Sequence, residues 1–302
     1  MTGRITLVPA APPTLLAVPN VSEGTDLSVI EQVGGAFAPA ALLDVHSDPD
    51  HDRSVYTLAA RQGTLADGLV SGAAAVLDLI DLAVHAGLHP FVGALDVMPV
   101  VYLDEERRGA ACAEVLAAAG RIGAELGVPV VLYGELATHS ERRERAWLRK
   151  GGWRALADRV ETGEVTPDFG PARAHPTGGV ILATARPPLV AFNLELAEDD
   201  LELARHVAAR IRESGGGLEG VRAIGLRLGA RGTVQVSTNV HDHRVTPLRA
   251  VVEAVQRHAE VAGAELVGLV PAAALAGFPE DVPIRGFSPD RHVLENALDS
   301  IP

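Results

Sequence analysis

The chain reads as an α+β protein made of two ferredoxin-like βαββαβ subdomains, the first with an appended helix and strand. Three observations predict this. Segments of period two and period 3.6 follow one another as strand, helix, strand, strand, helix, strand in the second half. The first half repeats that order. At 302 residues, 47% hydrophobic and 22% charged, the chain can also bury two real cores.

In the first half, 14–20 (TLLAVPN) reads as a strand and 26–38 as a short helix. Strands at 41–47 and 53–59 are joined by an acidic loop. An Ala/Leu/Val-rich helix covers 64–85 and a strand 91–103, followed by a helix at 104–126, a strand at 128–133 and a helical segment at 140–160. In the second half, 186–196 is a strand opened by prolines. Residues 199–213 place Leu201, Ala204, Ala208 and Ile211 on one helical face, and the glycines at 215–217 stop that helix. The alternating runs 221–229 and 232–240 form a hairpin. Residues 246–263 form a helix with Leu248, Val251, Val252 and Val255 inward, and 265–271 is the last strand. The division is 1–184, 185–275 and a proline-containing extension, 276–302. With helices on one face of each sheet, the other faces are free to pack together or on a ligand.

The net charge of −13 argues against a phosphate-backbone binder, so no nucleic acid is expected. It leaves room for a small anionic ligand held by a few arginines. The single cysteine, Cys112, excludes a disulfide framework and a cysteine-based zinc site and fits a reducing, cytoplasmic setting. The apolar start is broken by Pro9, Pro12, Pro13 and Pro19 and lacks the pattern of a signal peptide. No apolar run is long enough for a membrane span.

The stretch 85–99, HAGLHPFVGALDVMP, carries the clearest chemistry. Pro90 biases His89 away from the helical region, so His89 sits in a rigid turn before a strand, and its imidazole suits proton transfer at neutral pH. An ordinary surface turn is the competing reading. A metal site is not expected: Gly87 and Pro90 disrupt the helix that His85 and His89 would need to act as ligands. The loop with His46, Asp48, Asp50, His51 and Asp52 reads as a solvated hairpin connection, and so does the turn with His241 and His243. In 18–24 (VPNVSEG), Asn20 and Ser22 suit either helix capping or ligand contact. The loop 167–179 (PDFGPARAHPTGG) is stiff at its prolines and open at its glycines, and it lies between the repeats, where a cleft or a plain linker is expected.

VPNVSEG, RSVYT, IDL followed by HP and GALDV, GVPVVLYGE, PDFGP, HPTGG, ARPPLVAFN, VQVSTN, VTPL and ELVGLVP occur in that order over residues 14–272. Together they resemble the formiminotransferase domain of glutamate formimidoyltransferases. The resemblance implies a homodimer with folate in the cleft between two subdomains. It implies transfer of a formimino group from N-formimino-L-glutamate to N5 of tetrahydrofolate, a step of histidine breakdown. Tetrahydrofolate is then a co-substrate, with no metal or redox cofactor. The family's catalytic histidine maps to His89 and its folate-contacting loop to Gly170, Pro171, Ala172, Arg173, Ala174, His175, Pro176, Thr177 and Gly178. Because both substrates carry carboxylates, Arg53, Arg186 and Arg244 are candidate anchors. Asn20, Asp44 and Asp96 are further candidates for contacting substrate or orienting His89. The cyclodeaminase domain found in some members is not expected in the residues beyond the match.

Leu88 and Phe91 depart from the family, which has Glu and Arg on either side of the catalytic histidine. An apolar pair there predicts poor handling of formiminoglutamate. The alternatives are a reduced-folate-binding paralogue without catalysis and a transferase using another one-carbon donor, such as a formyl group.

Overall fold

The computed structural model describes residues 12–85, 87, 89–229 and 231–301. Leu88, singled out above, lies outside the described residues. The protein is α+β, with two separate sheets. In the first, β1 (Thr14–Ala17) and β2 (Asn20–Val21) form one line broken at Val18-Pro19. Pro19 has no N–H for the ladder, but its carbonyl still accepts from Tyr56 N at 3.0 Å. This line lies between β4 (Arg53–Arg61) and β5 (Leu95–Val101), and β3 (Ala41–Asp48) pairs with the outer side of β4. Beyond β5 come β7 (Ile181–Arg186) and then β6 (Val130–Leu132), both parallel.

The helices α1 (Leu27–Ala36), α2 (Leu65–Leu79) and α3 (Arg108–Arg121) pack one face of this sheet. Asp26 caps α1 by accepting from Ser28 N and Val29 N. Thr64 gives α2 no side-chain cap. Glu114, reaching over from α3, supplies one by accepting from Gly63 N at 2.6 Å and Ala66 N at 2.8 Å. The helix expected over 64–85 stops at Leu79, because Ile80 turns extended and Asp81 Oδ1 accepts from Ala83 N. The expected 140–160 helix is likewise broken into a turn at Ser140–Arg143, α4 (Arg145–Leu148) and α5 (Gly152–Glu161). The first break falls at Glu144, which is extended, and the second at Gly151 and Gly152, whose φ values are +82° and +75°. These segments pack part of the sheet's second face, around Leu148, Leu156 and Val160.

The second sheet contains β8 (Val190–Leu196), β9 (Val221–Leu228), β10 (Thr233–Val240) and β11 (Val261–Val267), in the antiparallel order β11-β8-β10-β9. Its apolar face packs against α6 (Leu201–Ile211) and α7 (Leu248–Gln256). The last helix is shorter than the expected 246–263, and the last strand begins four residues before the expected 265. Val261 already pairs with Leu196, and Gly263 with Glu195. The 276–302 extension turns back: Ile284 bridges Ala264, and α8 (Pro289–His292) leads into α9 (Leu294–Asp299). Leu294 is buried there against Leu16, Ala59 and Val101 of the first sheet. Among the described residues no helix is long and apolar enough to cross a membrane.

Candidate active site

Strand alternation builds the site. On β4, Ser54, Tyr56 and Leu58 alternate with Arg53, Val55 and Thr57. Tyr56 and Leu58 enter the helix-side core, while Arg53, Val55 and Thr57 line a cavity between the two sheets. Leu16, Val18 and Asn20 line it from the broken first strand, and Val97, Pro99 and Val101 from β5. The opposite wall is the polar face of the second sheet, with Asn193, Ser237 and Asn239. The cavity holds about 1220 Å³ of space, part of it open to solvent. A second opening shares His89, Arg145, Arg186, Leu189, Ser237 and Asn239 with it, so His89 stands where the two spaces meet.

Beneath His89 lies a buried charge network. Asp96, with no exposed surface, accepts from Arg53 Nη1 at 2.8 Å and from Val92 N at 2.8 Å, and it pairs with Arg149. Arg53 also donates from Nη2 to Asn20 Oδ1 at 2.8 Å, and Asn20 Nδ2 donates to Val18 O. Burial alone would raise the Asp96 carboxyl, but Arg149 and Arg53 hold it below its ordinary value. Burial pushes the Arg149 guanidinium down to about 9, and Asp96 counters that shift. With one carboxylate between two guanidinium groups, the network keeps a net positive charge.

His89 responds to that field. Its Nδ1 lies 2.9 Å from Pro90 O, which assigns the proton to Nδ1 and leaves Nε2 unprotonated. Burial first, then the charges of Arg53, Arg149 and Arg145, hold its pKa well below the ordinary imidazole value. The imidazole is therefore neutral at neutral pH.

The turn carrying His89 is held by the β3–β4 hairpin. Asp52, at φ +47°, accepts from Gly24 N at 2.9 Å and pairs with His85 Nδ1 at 2.9 Å. Gly87 lies so close that a Cβ there would sit 2.3 Å from His51 O. Within the hairpin, Asp48 accepts from His51 N at 2.9 Å, and the His51 ring stands edge-on to His89 with centroids 6.0 Å apart. Burial would raise the Asp48 carboxyl, yet His51 and Arg231 hold it far below its usual range. Arg231 lies 3.1 Å from Asp48 and 2.9 Å from Glu265, tying the hairpin to the second sheet. The loop read as a solvated connection is therefore a wall of the site. Among the described residues no group of three or more His, Cys, Asp or Glu side chains is arranged to hold a metal ion.

The structure brings His89, Asn20, Arg53 and Arg186 together around the cavity and places Asp96 just beneath them. Three other expected contacts lie elsewhere. Asp44, on β3, faces His46 and the extension's His292 and Arg291, and burial raises its pKa. Arg244 is exposed and forms an ion pair with Asp242 at 2.9 Å. The segment 170–178 packs behind the His89 turn: Thr177 O accepts from Leu82 N and Gly178 O from Ala94 N. None of Gly170, Pro171, Ala172, Arg173, Ala174, His175, Pro176, Thr177 or Gly178 is among the residues described as lining the central cavity. Phe91 stacks edge-on against His85, with centroids 4.4 Å apart, and does not line that cavity either.

Arg145 and Arg149 were missed in the sequence. Their signal was ERRERAWLRK, a basic run in an acidic chain in which Arg142, Arg145 and Arg149 share a helical face. The run is anchored at Arg142, buried against Asp168 at 3.2 Å and Thr166 O at 2.9 Å. Asp168, from PDFGP, also accepts from Leu132 N at 2.7 Å and Thr138 Oγ1 at 2.8 Å.

A neutral imidazole where two spaces meet, among several guanidinium groups, is an arrangement able to accept a proton beside a small anionic ligand. Comparison with known proteins narrows that class. The N-terminal subdomain model of the formiminotransferase domain matches residues 14–186, and the formiminotransferase domain model matches 191–278. The chain belongs to the formiminotransferase family. It is 41% identical over 277 residues to the formimidoyltransferase-cyclodeaminase of Sus scrofa, covering 85% of this chain and 50% of that protein. It is 35% identical over 291 residues to the glutamate formimidoyltransferase of Streptococcus pyogenes serotype M1, covering 93% and 97%. The glutamate formimidoyltransferase of Thermoplasma acidophilum is 35% identical over 294 residues, covering 93% and 96%. The chain thus spans about half the length of its cyclodeaminase-containing relative and nearly all of the other two.

Proposed function

We propose that the protein transfers a formimino group from N-formimino-L-glutamate to N5 of tetrahydrofolate, with His89 moving the proton. The observation that carries this reading is the neutral imidazole of His89 at the junction of two spaces, flanked by buried guanidinium groups. N5 attacks the amidine carbon, and His89 Nε2 takes the proton that N5 loses. The imidazolium returns it to the glutamate nitrogen as the carbon–nitrogen bond to glutamate breaks. One bond forms, one breaks, and the proton passes from N5 to the leaving nitrogen. The arginines favour a substrate carboxylate, and positioning supplies much of the rate.

The same reading takes each half as a ferredoxin-like subdomain, divided as 1–184 and 185–275 with 276–302 as an extension. The strand orders β3-β4-β1/β2-β5 and β11-β8-β10-β9 support it, since each equals 2-3-1-4 or its reverse within its own half. Folate lies between the sheets, and 170–178 supports the His89 turn from behind. A cytoplasmic homodimer belongs to this reading; light scattering on the purified protein reads its mass. Calorimetry with tetrahydrofolate tests the ligand: saturable micromolar binding is expected, and no binding at millimolar ligand overturns the reading. Binding without formimino transfer would leave the non-catalytic paralogue, and transfer from a formyl donor alone would leave the alternative transferase.

A further inference from the structure

We propose that Arg145 and Arg186 form the subsite for the two carboxylates of the glutamate-derived donor, and that Arg145 supplies the positive charge that Phe91 withholds. The inference rests on the formimino-transfer reading and assigns its donor pocket.

Arg145 and Arg186, the arginines that line both spaces, have no carboxylate partner among the described residues. Arg53 and Arg149 are taken up by Asp96, and Arg222 by Glu144 and Glu213. Arg145 makes no ion pair or side-chain hydrogen bond among the described residues. Arg186 donates only to the neighbouring Pro187 O, at 3.0 Å. Burial pushes the Arg186 guanidinium down to about 10, still charged at neutral pH, with no carboxylate paired to it among the described residues. A desolvated cation without counter-charge, as at Arg186, is costly unless a ligand completes it. Both arginines line both spaces that meet at His89, and Ser237 and Asn239 face them with uncharged polar groups. The turn itself offers no such group, because Phe91 is packed on His85.

The shared chemistry is a glutamate dicarboxylate, which both the donor and the folate tail possess. Covalent distance favours the donor. In formiminoglutamate the α-carboxylate carbon is two bonds from the nitrogen that His89 must protonate. In folate the p-aminobenzoyl group separates the glutamate from the reacting N5. A carboxylate anchored next to His89 therefore belongs to the molecule whose glutamate nitrogen leaves.

The experiment compares the full-length wild type with Arg145→Gln, Arg186→Gln and Arg145→Lys. Three quantities are read: KM and kcat for formiminoglutamate, Kd for L-glutamate as the product probe, and Kd for tetrahydrofolate against tetrahydropteroate, which lacks glutamate. Each Gln variant is expected to raise donor KM and L-glutamate Kd by about 10–100-fold, the range of a lost charge-assisted hydrogen bond, with kcat changed less. Arg145→Lys should recover part of the loss, and both folate affinities should stay within about threefold. An unchanged donor KM and L-glutamate Kd overturns the proposal. So does a loss confined to tetrahydrofolate with tetrahydropteroate spared, which would give the arginines to the folate tail. If the wild type fails to turn over formiminoglutamate, the activity falls, while the L-glutamate affinities still decide the subsite. Should a Gln variant fail to fold, Arg145→Lys and Arg186→Lys read the same quantities.

Discussion

Replacing Asp96 by Asn tests the buried network beneath His89. Asp96 is fully buried, and the Arg53 and Arg149 side chains are each only 9% exposed. The amide keeps an oxygen for Val92 N or Arg53 Nη1 but removes the charge shared by both guanidinium groups. Breaking a buried ion pair by removing one partner costs about 3–5 kcal/mol. The two pairs share one carboxylate, so the losses do not simply add, and the same range applies to the whole change. At about 2–4 °C per kcal/mol for a chain approaching this size, the thermal midpoint should fall by roughly 6–20 °C. Urea unfolding monitored by circular dichroism, with the slope unchanged, measures the free energy directly. A loss below about 1 kcal/mol would refute the argument that Asp96 compensates both arginines. A second, independent readout is His89: with Asp96 neutral the arginines depress its pKa further, so the acid limb of activity should move to lower pH.

Two further outcomes follow from the geometry. In the proposed reaction the proton acceptor is the unprotonated imidazole, and burial plus three arginines lower its pKa. Wild-type kcat/KM should therefore hold through neutrality and fall only below about pH 6.5, the ordinary histidine value; an inflection at or above that pH contradicts the field described. Gly87→Ala should cut kcat by about 100-fold while costing about 1–3 kcal/mol of stability, because its Cβ would strike His51 O and displace the His89 turn. Wild-type turnover by that variant would show that the hairpin does not position His89.

Most strands and helices were legible because their alternation and helical faces are strong, as in β9, β10 and α6. β7 was missed. Its buried run at Ile181–Arg186 pairs in parallel with both neighbours, so it shows no alternation, and the prolines after it drew attention to β8 instead. His89, Asn20, Arg53 and Arg186, expected near the site from the sequence, line the cavity. Arg145 could not be placed, because its position depends on the breaks at Gly151 and Gly152 and on Arg142 docking against Asp168, 26 residues away. The hairpin 48–52 read as solvent-exposed because its composition is acidic. Only folding reveals that Asp52 meets His85 and that Arg231, 183 residues from Asp48, neutralises the loop. Arg244 is a candidate anchor on the same ground as Arg53 and Arg186, and Asp44 on the same ground as Asp96; residue type alone cannot say which of them faces the cavity.

Steady-state formimino transfer from formiminoglutamate to tetrahydrofolate, measured for wild type and His89→Ala together with tetrahydrofolate affinity, tests the proposed chemistry most directly. The account predicts a robust wild-type rate, a loss of about 10²–10⁴-fold in kcat for the variant, and a folate Kd within about threefold of wild type. A variant that retains more than about one tenth of the wild-type kcat would contradict it, because another group would then be carrying the proton.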